Sequence, residues 1–342
     1  MQLRTRRRTL ITNRVETLNL VEMCNWYLEH FAPEQKAHTR KAKVQDLEWL
    51  LVFAALESRC SSTELQVGDL SPALLHGFRE HRISQGEAVS TVNRRMATIK
   101  HFCRKVKERV PTWINPSEGI KDIPTEENEF RGISKAEAES IIEAAYTLGS
   151  SLFFHHRSGL ICLIALGCGL RAMEIANLRI GQLSDDRKWF RGVVCKGGKV
   201  RNVPIRSDVR ESIIEWLPVR ERALCEHLAS YNRVSLSKKS QIPLLPTISR
   251  ANAENPSACV MDYKTIHRTF AKACQVADRE HINPHRFRHA FCRQLLDATN
   301  DITLVSQAVG HSNIQTTMQY LKRREEEIAE KVESVVTARG AK

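Results

Sequence analysis

Four short stretches of this 342-residue chain carry side chains whose types and spacing could do chemistry. In GCGLRAMEIANL, a glycine break precedes Arg171, and Glu174 three residues on shares its helical face. In CKGGKVRNVPI, Lys196 stands at the tip of a hairpin signal. In HINPHRFRHAF, Asn283 and Pro284 mark a helix start, which puts His285 and Arg288 on one face of its first turn and a half. In AVGHSNIQTTMQYL, a glycine ends one helix, His311 follows, and the next helix carries Tyr320. Guanidiniums bind phosphate-like groups through paired parallel hydrogen bonds, and a helix N-terminus offers such a group free N–H donors. Taken singly, each stretch has an ordinary explanation: a surface ion pair, a solvated turn lysine, a packing tyrosine. A zinc site does not fit. Pro284 keeps His281 and His285 off one helix, and His155-His156 lacks further ligands at metal spacing.

Taken together and in order, the set resembles the catalytic residues of the tyrosine recombinase (phage integrase) family. GLRAMEIANL, CKGGKVRNVPI, PHRFRHAF and GHSNIQTTMQYL are the matching strings, with Phe287 where the family more often has leucine. The resemblance is strong from Arg131 to Tyr320, and residues 14–110 match more loosely the four-helix core-binding domain of the family. It implies that Tyr320 is the nucleophile and that Arg171 and Arg288 clamp the phosphate. Lys196 then protonates the leaving 5′-oxygen, His285 and His311 hydrogen-bond the phosphoryl oxygens or take the tyrosine proton, and Glu174 orients its neighbours. Those residue types suit the reaction. A 3′-phosphotyrosyl link conserves the ester energy, so strands rejoin without ATP, and cationic side chains can do the work of a metal. No cofactor and no metal are expected.

The implied function is site-specific recombination, integrating or excising a mobile element. Residues 218–262, longer than compact members of the family need, do not single out a chromosome-dimer-resolving subgroup and fit an integrase of a mobile element equally well. A type IB topoisomerase and a non-catalytic DNA-binding protein on the same fold remain alternatives. The implied partners are double-stranded DNA with specific recombination sites, a homotetramer formed on that DNA, and accessory DNA-bending proteins. The amphipathic stripe of Ile328, Val332, Val335 and Val336 is the element that would dock on a neighbouring protomer.

The elements that must position these residues read as mainly helical. Helical periodicity runs over Thr17–His30, Val44–Glu57, Leu70–Gln85 and Ser90–Val110, with Ser71-Pro72 as a helix start. Three prolines and an acidic cluster between Pro111 and Phe130 break the pattern. Beyond them, Ser134 and Glu137 form a capping box for Ala136–Tyr146, an apolar helix lies around Leu160–Leu166, and a short one spans Ala172–Leu178. Strand character around Lys196–Lys199 gives one hairpin. Residues 218–262 show no single period. Helices resume at Asp262–Ala277, Pro284–Ala298, Thr303–Val309, Ile314–Leu321 and Glu325–Val336. The fold class is therefore mainly α with a small β-hairpin. A basic arm (1–13), a helical core-binding domain (14–112) and a linker (113–130) precede a mixed α/β catalytic domain with its tail helix (131–342).

Lysine and arginine number 52 against 39 acids, a net charge of +13 that favours a polyanionic partner. The helix of Ser90–Val110 concentrates that excess. Arg94, Arg95, Lys100, Arg104, Lys105 and Lys107 face one acid, Glu108, either as a solvated face or as one that tracks phosphates. The apolar runs Trp49–Leu56 and Gly159–Leu170 are too short for a bilayer, which needs roughly 20 residues. No signal-peptide pattern follows the basic start, and none of the ten cysteines forms a C-x-x-C pair. A cytoplasmic protein with reduced thiols is expected.

Overall fold

The computed structural model describes residues 18–32, 37–124, 133–228, 231–248, 259–310 and 315–318. The basic arm, His311, Tyr320 and the tail helix lie outside them. The chain divides into two compact units, 1–130 and 131–342.

The first unit is four helices: α1 (Leu20–Phe31), α2 (Ala37–Ser58), α3 (Pro72–Ser84) and α4 (Val89–Arg109). Asn19 Oδ1 caps α1 by accepting the Glu22 N–H at 3.1 Å. Ser71 does the same for α3 through the Leu74 N–H at 3.1 Å, ahead of Pro72. The α2 helix begins seven residues before the expected start, because the polar stretch ahead of Val44 continues the helix without contributing an apolar period. Leu20, Tyr27, Leu47, Leu50, Phe78 and Phe102 fill the core.

Most of the cations of α4 have partners within this unit. Arg95 is buried, and its guanidinium is shared between Asp46 on α2 and Glu87 ahead of α4 at 2.8–2.9 Å. Arg94 grips the same carboxylate with both terminal nitrogens at 2.7 Å, and the Thr98 hydroxyl donates to it at 2.8 Å. Glu87 also pairs with Arg82 of α3. Lys100 bridges to Asp122, Lys105 to Glu108, and Lys107 donates to the Pro111 and Trp113 carbonyls. Arg104 stands exposed. Arg94 and Arg95 are thus fold-holding residues, since removing a fully buried carboxylate's partners would leave its charge uncompensated.

The second unit contains α5 (Lys135–Ala145), α6 (Leu152–Cys168), α7 (Ala172–Ala176), the strands β1 (Trp189–Val194) and β2 (Val200–Pro204), then α8 (Ser207–His227), α9 (Leu236–Lys239), α10 (Tyr263–Val276), α11 (Pro284–Thr299), α12 (Ile302–Val309) and α13 (Gln315–Met318). The capping box of α5 closes both ways, Ser134 Oγ accepting the Glu137 N–H at 3.1 Å and Glu137 Oε2 accepting the Ser134 N–H at 2.8 Å. α6 is buried along most of its length in a core with Ile213, Trp216, Phe270 and Phe287. The strands pair antiparallel with Val194 opposite Val200, a bulge between Phe190 and Val193, and Lys196–Gly198 as the turn.

Helix α8 runs against the expectation from its sequence. Pro218 stands inside it, where proline costs about 3 kcal/mol and normally argues against a helix. Tertiary packing overrides it: Val209, Ile213, Trp216 and Leu224 are buried, Trp216 Nε1 donates to the Leu244 carbonyl at 2.9 Å, and Arg220 donates to the Pro243 carbonyl. No described helix is long and apolar enough to cross a membrane.

The Asp46–Glu87 network yields a stability prediction. Asp46→Asn should lower the free energy of unfolding in urea by about 3–5 kcal/mol, because Arg95 stays buried with one partner gone. Arg82 first, then Arg95, holds the Glu87 carboxyl down at about 2. A group whose pKa is lower folded than unfolded stabilises above the unfolded value and loses that contribution as the pH falls toward the folded one. Stability should therefore decline from the ordinary carboxylate range down to pH 2, and less steeply in Glu87→Gln. A pH series of urea melts with identical slopes for the two proteins would refute this.

Candidate active site

α6 ends at Cys168, and Gly169 takes the left-handed conformation at φ 60° as its cap. A Cβ there would come within 2.4 Å of the Phe291 ring on α11, so only glycine fits between the two helices. Two residues on, Arg171 is the N-cap of α7 and Glu174 its third residue. Glu174 Oε2 accepts the Arg171 backbone N–H at 3.1 Å, and Oε1 accepts Nη1 of the Arg171 side chain at 2.8 Å.

α11 starts on Asn283, whose Oδ1 accepts the Arg286 N–H at 3.1 Å, with Pro284 first in the helix. Its first turns carry Arg288 into the interior, where no part of it meets solvent. Nη1 donates to the Gly169 carbonyl at 2.6 Å and Nη2 to the Val309 carbonyl at 2.7 Å. Nη1 also lies 3.7 Å from Glu174 Oε2. The Nε–H of Arg288 has no partner among the described residues. His285, exposed on the same helix, stacks edge-on against His289 with ring centroids 4.4 Å apart.

A third guanidinium, missed in the sequence, completes the cluster. Arg201 of β2 donates from Nη2 to Glu174 Oε2 at 3.1 Å, from Nε to Cys195 Sγ at 3.2 Å, and from Nη1 to the Ala308 carbonyl. The signal was available. Strand alternation puts Arg201 on the inward face with buried Val203, an unusual place for a charge.

Three guanidiniums around one carboxylate leave the cluster net positive. Burial raises the pKa of Glu174, but the Arg171 N–H and the cations of Arg201 and Arg288 outweigh it and hold the carboxyl below its usual range. Burial, and then the like charge of Arg171, brings Arg288 down to about 10, so it remains a cation at neutral pH. Desolvation, followed by Arg288 and Arg171, lowers the pKa of His285, which is therefore neutral at pH 7 and able to accept a proton.

The structure thus brings Arg171, Glu174, Arg288 and, nearby in charge, His285 together. Lys196 lies in the hairpin turn that follows Cys195. His311 follows Gly310, the left-handed cap of α12, directly in sequence. Its position and that of Tyr320 lie outside the described residues. Arg94, Arg95, Lys100, Arg104, Lys105 and Lys107 belong to the other unit. Among the described residues, no group of three or more His, Cys, Asp or Glu side chains is placed to hold a metal.

The phage integrase family model matches residues 131–327, more than half of the chain. The chain belongs to the phage integrase family, the tyrosine recombinases, enzymes that cleave and rejoin DNA. Tyrosine recombinase XerC of Neisseria meningitidis serogroup C (strain 053442) is 27% identical over 305 residues, covering 86% of this chain and 89% of that protein. Tyrosine recombinase XerC of Thermodesulfovibrio yellowstonii (strain ATCC 51303 / DSM 11347 / YP87) is 23% identical over 296 residues, with the same coverage. The fold is similar to that of the Tn1549 transposon integrase in complex with transposon right end DNA, at a TM-score of 0.67 and 14% identity over 94% of this chain and 100% of that one. A lambda integrase dimer bound to a COC′ core site gives 0.66 and 13% identity over 92% and 80%.

Because Arg288 spans two backbone carbonyls with one planar fork, lysine cannot replace it. Arg288→Lys should lose nearly as much DNA cleavage as Arg288→Ala, on the order of a hundredfold or about 3 kcal/mol. Single-turnover cleavage by a lysine variant within a few-fold of the parent would refute the assignment.

Proposed function

We propose that this protein is a site-specific DNA recombinase that works through a 3′-phosphotyrosyl intermediate at Tyr320. The observation that carries the reading is the meeting of Arg171 and Arg288, far apart in sequence, on the one buried carboxylate of Glu174. A net-positive cluster favours a nearby oxyanion, and the partly exposed Arg171 side chain is its member within reach of one, while the buried Arg288 adds its charge from behind. In the proposed step, the Tyr320 oxygen bonds to phosphorus and the P–O5′ bond breaks. Arg171 and Arg288 balance the charge on the non-bridging oxygens. The 5′-oxygen leaves with a proton from Lys196, and the phenolic proton passes to His285 or His311. Attack by the 5′-hydroxyl of a second strand reverses the step and releases the tyrosine.

Double-stranded DNA carrying specific sites is the proposed substrate. The relatives named tyrosine recombinase support this, as does the family match. Integration or excision of a mobile element, by a homotetramer assembled on DNA with accessory DNA-bending proteins, is the finer reading. The 218–262 region, part of which forms its own small core of Leu224, Leu228, Tyr231, Ile242 and Cys259, fits a mobile-element integrase as well as it fits a chromosomal recombinase.

The test is covalent capture. Incubated with nicked duplex DNA from its own locus, the protein should form an adduct that survives SDS. Tyr320→Phe should abolish the adduct and leave DNA binding intact, because only the attacking hydroxyl is removed. An adduct of undiminished yield from the phenylalanine variant would show that another residue is the nucleophile.

A further inference from the structure

We infer that Arg201 is a positioning residue that holds the Lys196 hairpin, the end of α12 and the Arg171–Arg288 pair in one fixed relation. The inference rests on the reading above for what Lys196 does, and on the structure for the joint itself. Each hydrogen-bonding edge of the guanidinium goes to a different element. Nε meets Cys195 Sγ at 3.2 Å, immediately before the Lys196 turn. Nη2 meets Glu174 Oε2 at 3.1 Å, the same oxygen that lies 3.7 Å from Arg288 Nη1 and accepts the Arg171 N–H. Nη1 meets the Ala308 carbonyl, in the last turn of α12 and three residues before His311.

The surroundings are shaped for this side chain. Gly310 is left-handed at φ 66°, and a Cβ there would stand 2.8 Å from Arg201 Cδ and 2.9 Å from its Nε. Any other residue at 310 would push the guanidinium off its partners. Phe190, Val193 and Val203 anchor the strands in the core, but the tip of the hairpin beyond them has little else to fix it. Gly197 and Gly198 take φ of 83° and 78° with open space around their Cβ positions, and Val194 and Val200 are 61% and 63% exposed. A glycine-rich turn between exposed strand ends is free to swing unless something behind it is tied down. Arg201 is that tie, and it works from the Glu174 carboxylate on which the Arg171–Arg288 pair is held. Delivery of a proton from the hairpin is then geometrically linked to the integrity of the clamp, since about 1 Å of displacement at a reacting group can cost a hundredfold in rate.

The prediction separates positioning from fold maintenance. Arg201→Gln and the milder Arg201→Lys should slow formation of the covalent adduct on ordinary nicked DNA by about 30-fold or more. On DNA in which a sulfur replaces the bridging 5′-oxygen at the scissile phosphate, both variants should come within about threefold of the parent protein, because a thiolate leaves without a proton. Equal losses on the two substrates would overturn the inference, because Arg201 would then serve the clamp or the fold in general. No loss on either would overturn it as well. Gly310→Ala should reproduce the same substrate-dependent pattern, and its failure to do so would count against the joint.

Hydrogen exchange on the free full-length chain reads the tie without any catalysis. In Arg201→Gln, protection should fall together in residues 189–204 and 302–310, with α5 and α10 unchanged. Unaltered exchange in both segments would refute the inference even if the parent protein proves active. A parent protein that forms no adduct would instead defeat the proposed function, and the exchange result would still decide the role of Arg201.

Discussion

One buried negative charge organises the catalytic unit. The Glu174 carboxylate is almost wholly removed from solvent, a state that costs several kcal/mol unless partners compensate it. Its partners come from three separate places: Arg171 from its own short helix, Arg201 from the hairpin and Arg288 from α11. Neither the hairpin nor α11 could move away without stranding that charge. The carboxylate is therefore a local organiser of the site, and the direction of its pKa shift, downward despite burial, shows that the surrounding cations prevail.

The guanidiniums in turn are placed by helix ends. α6 and α12 both finish in left-handed glycines, Gly169 and Gly310. Such a cap stops the helix abruptly and leaves carbonyls that no further turn will satisfy, at the end where the helix dipole is negative. Arg288 donates to the carbonyls of Gly169 and Val309, and Arg201 to that of Ala308. The buried Arg288 and the part-buried Arg201 are thereby stabilised in part by backbone, which needs no additional acids. That is why three guanidiniums can surround a single carboxylate and still leave positive potential for a phosphate.

Much of this was legible in sequence, and for physical reasons. Arg171, Glu174, His285 and Arg288 lie within a few residues of glycine breaks or an Asn-Pro helix start, local signals that fix where a side chain emerges. The capping box at Ser134 and the Ser71-Pro72 start were equally local. What escaped was non-local. Helix α8 contradicts the ordinary meaning of Pro218, because burial of Trp216 and Leu224 against partners distant in sequence outweighs the lost backbone bond. The inward strand position of Arg201 was legible, but its identity as a site residue depends on Ala308, more than a hundred residues away. The partners of Arg94 and Arg95 were equally non-local, since Asp46 lies on another helix and Glu87 ahead of α4.

Arginine is held differently on α4 and around Glu174. On α4, Arg94 and Arg95 meet Asp46 and Glu87, so a dense run of positive charge is absorbed by the fold, while Arg104 stays exposed. Around Glu174, fewer cations produce a net-positive site because backbone carbonyls replace acids as their partners. A desolvated, preorganised cluster acts more strongly on a nearby anion than the same charges in water, where salt and solvent screen them. Around Glu174 the positive charge collects where acids are scarce and helix ends are near, an arrangement that the density of lysine and arginine along the sequence does not reveal.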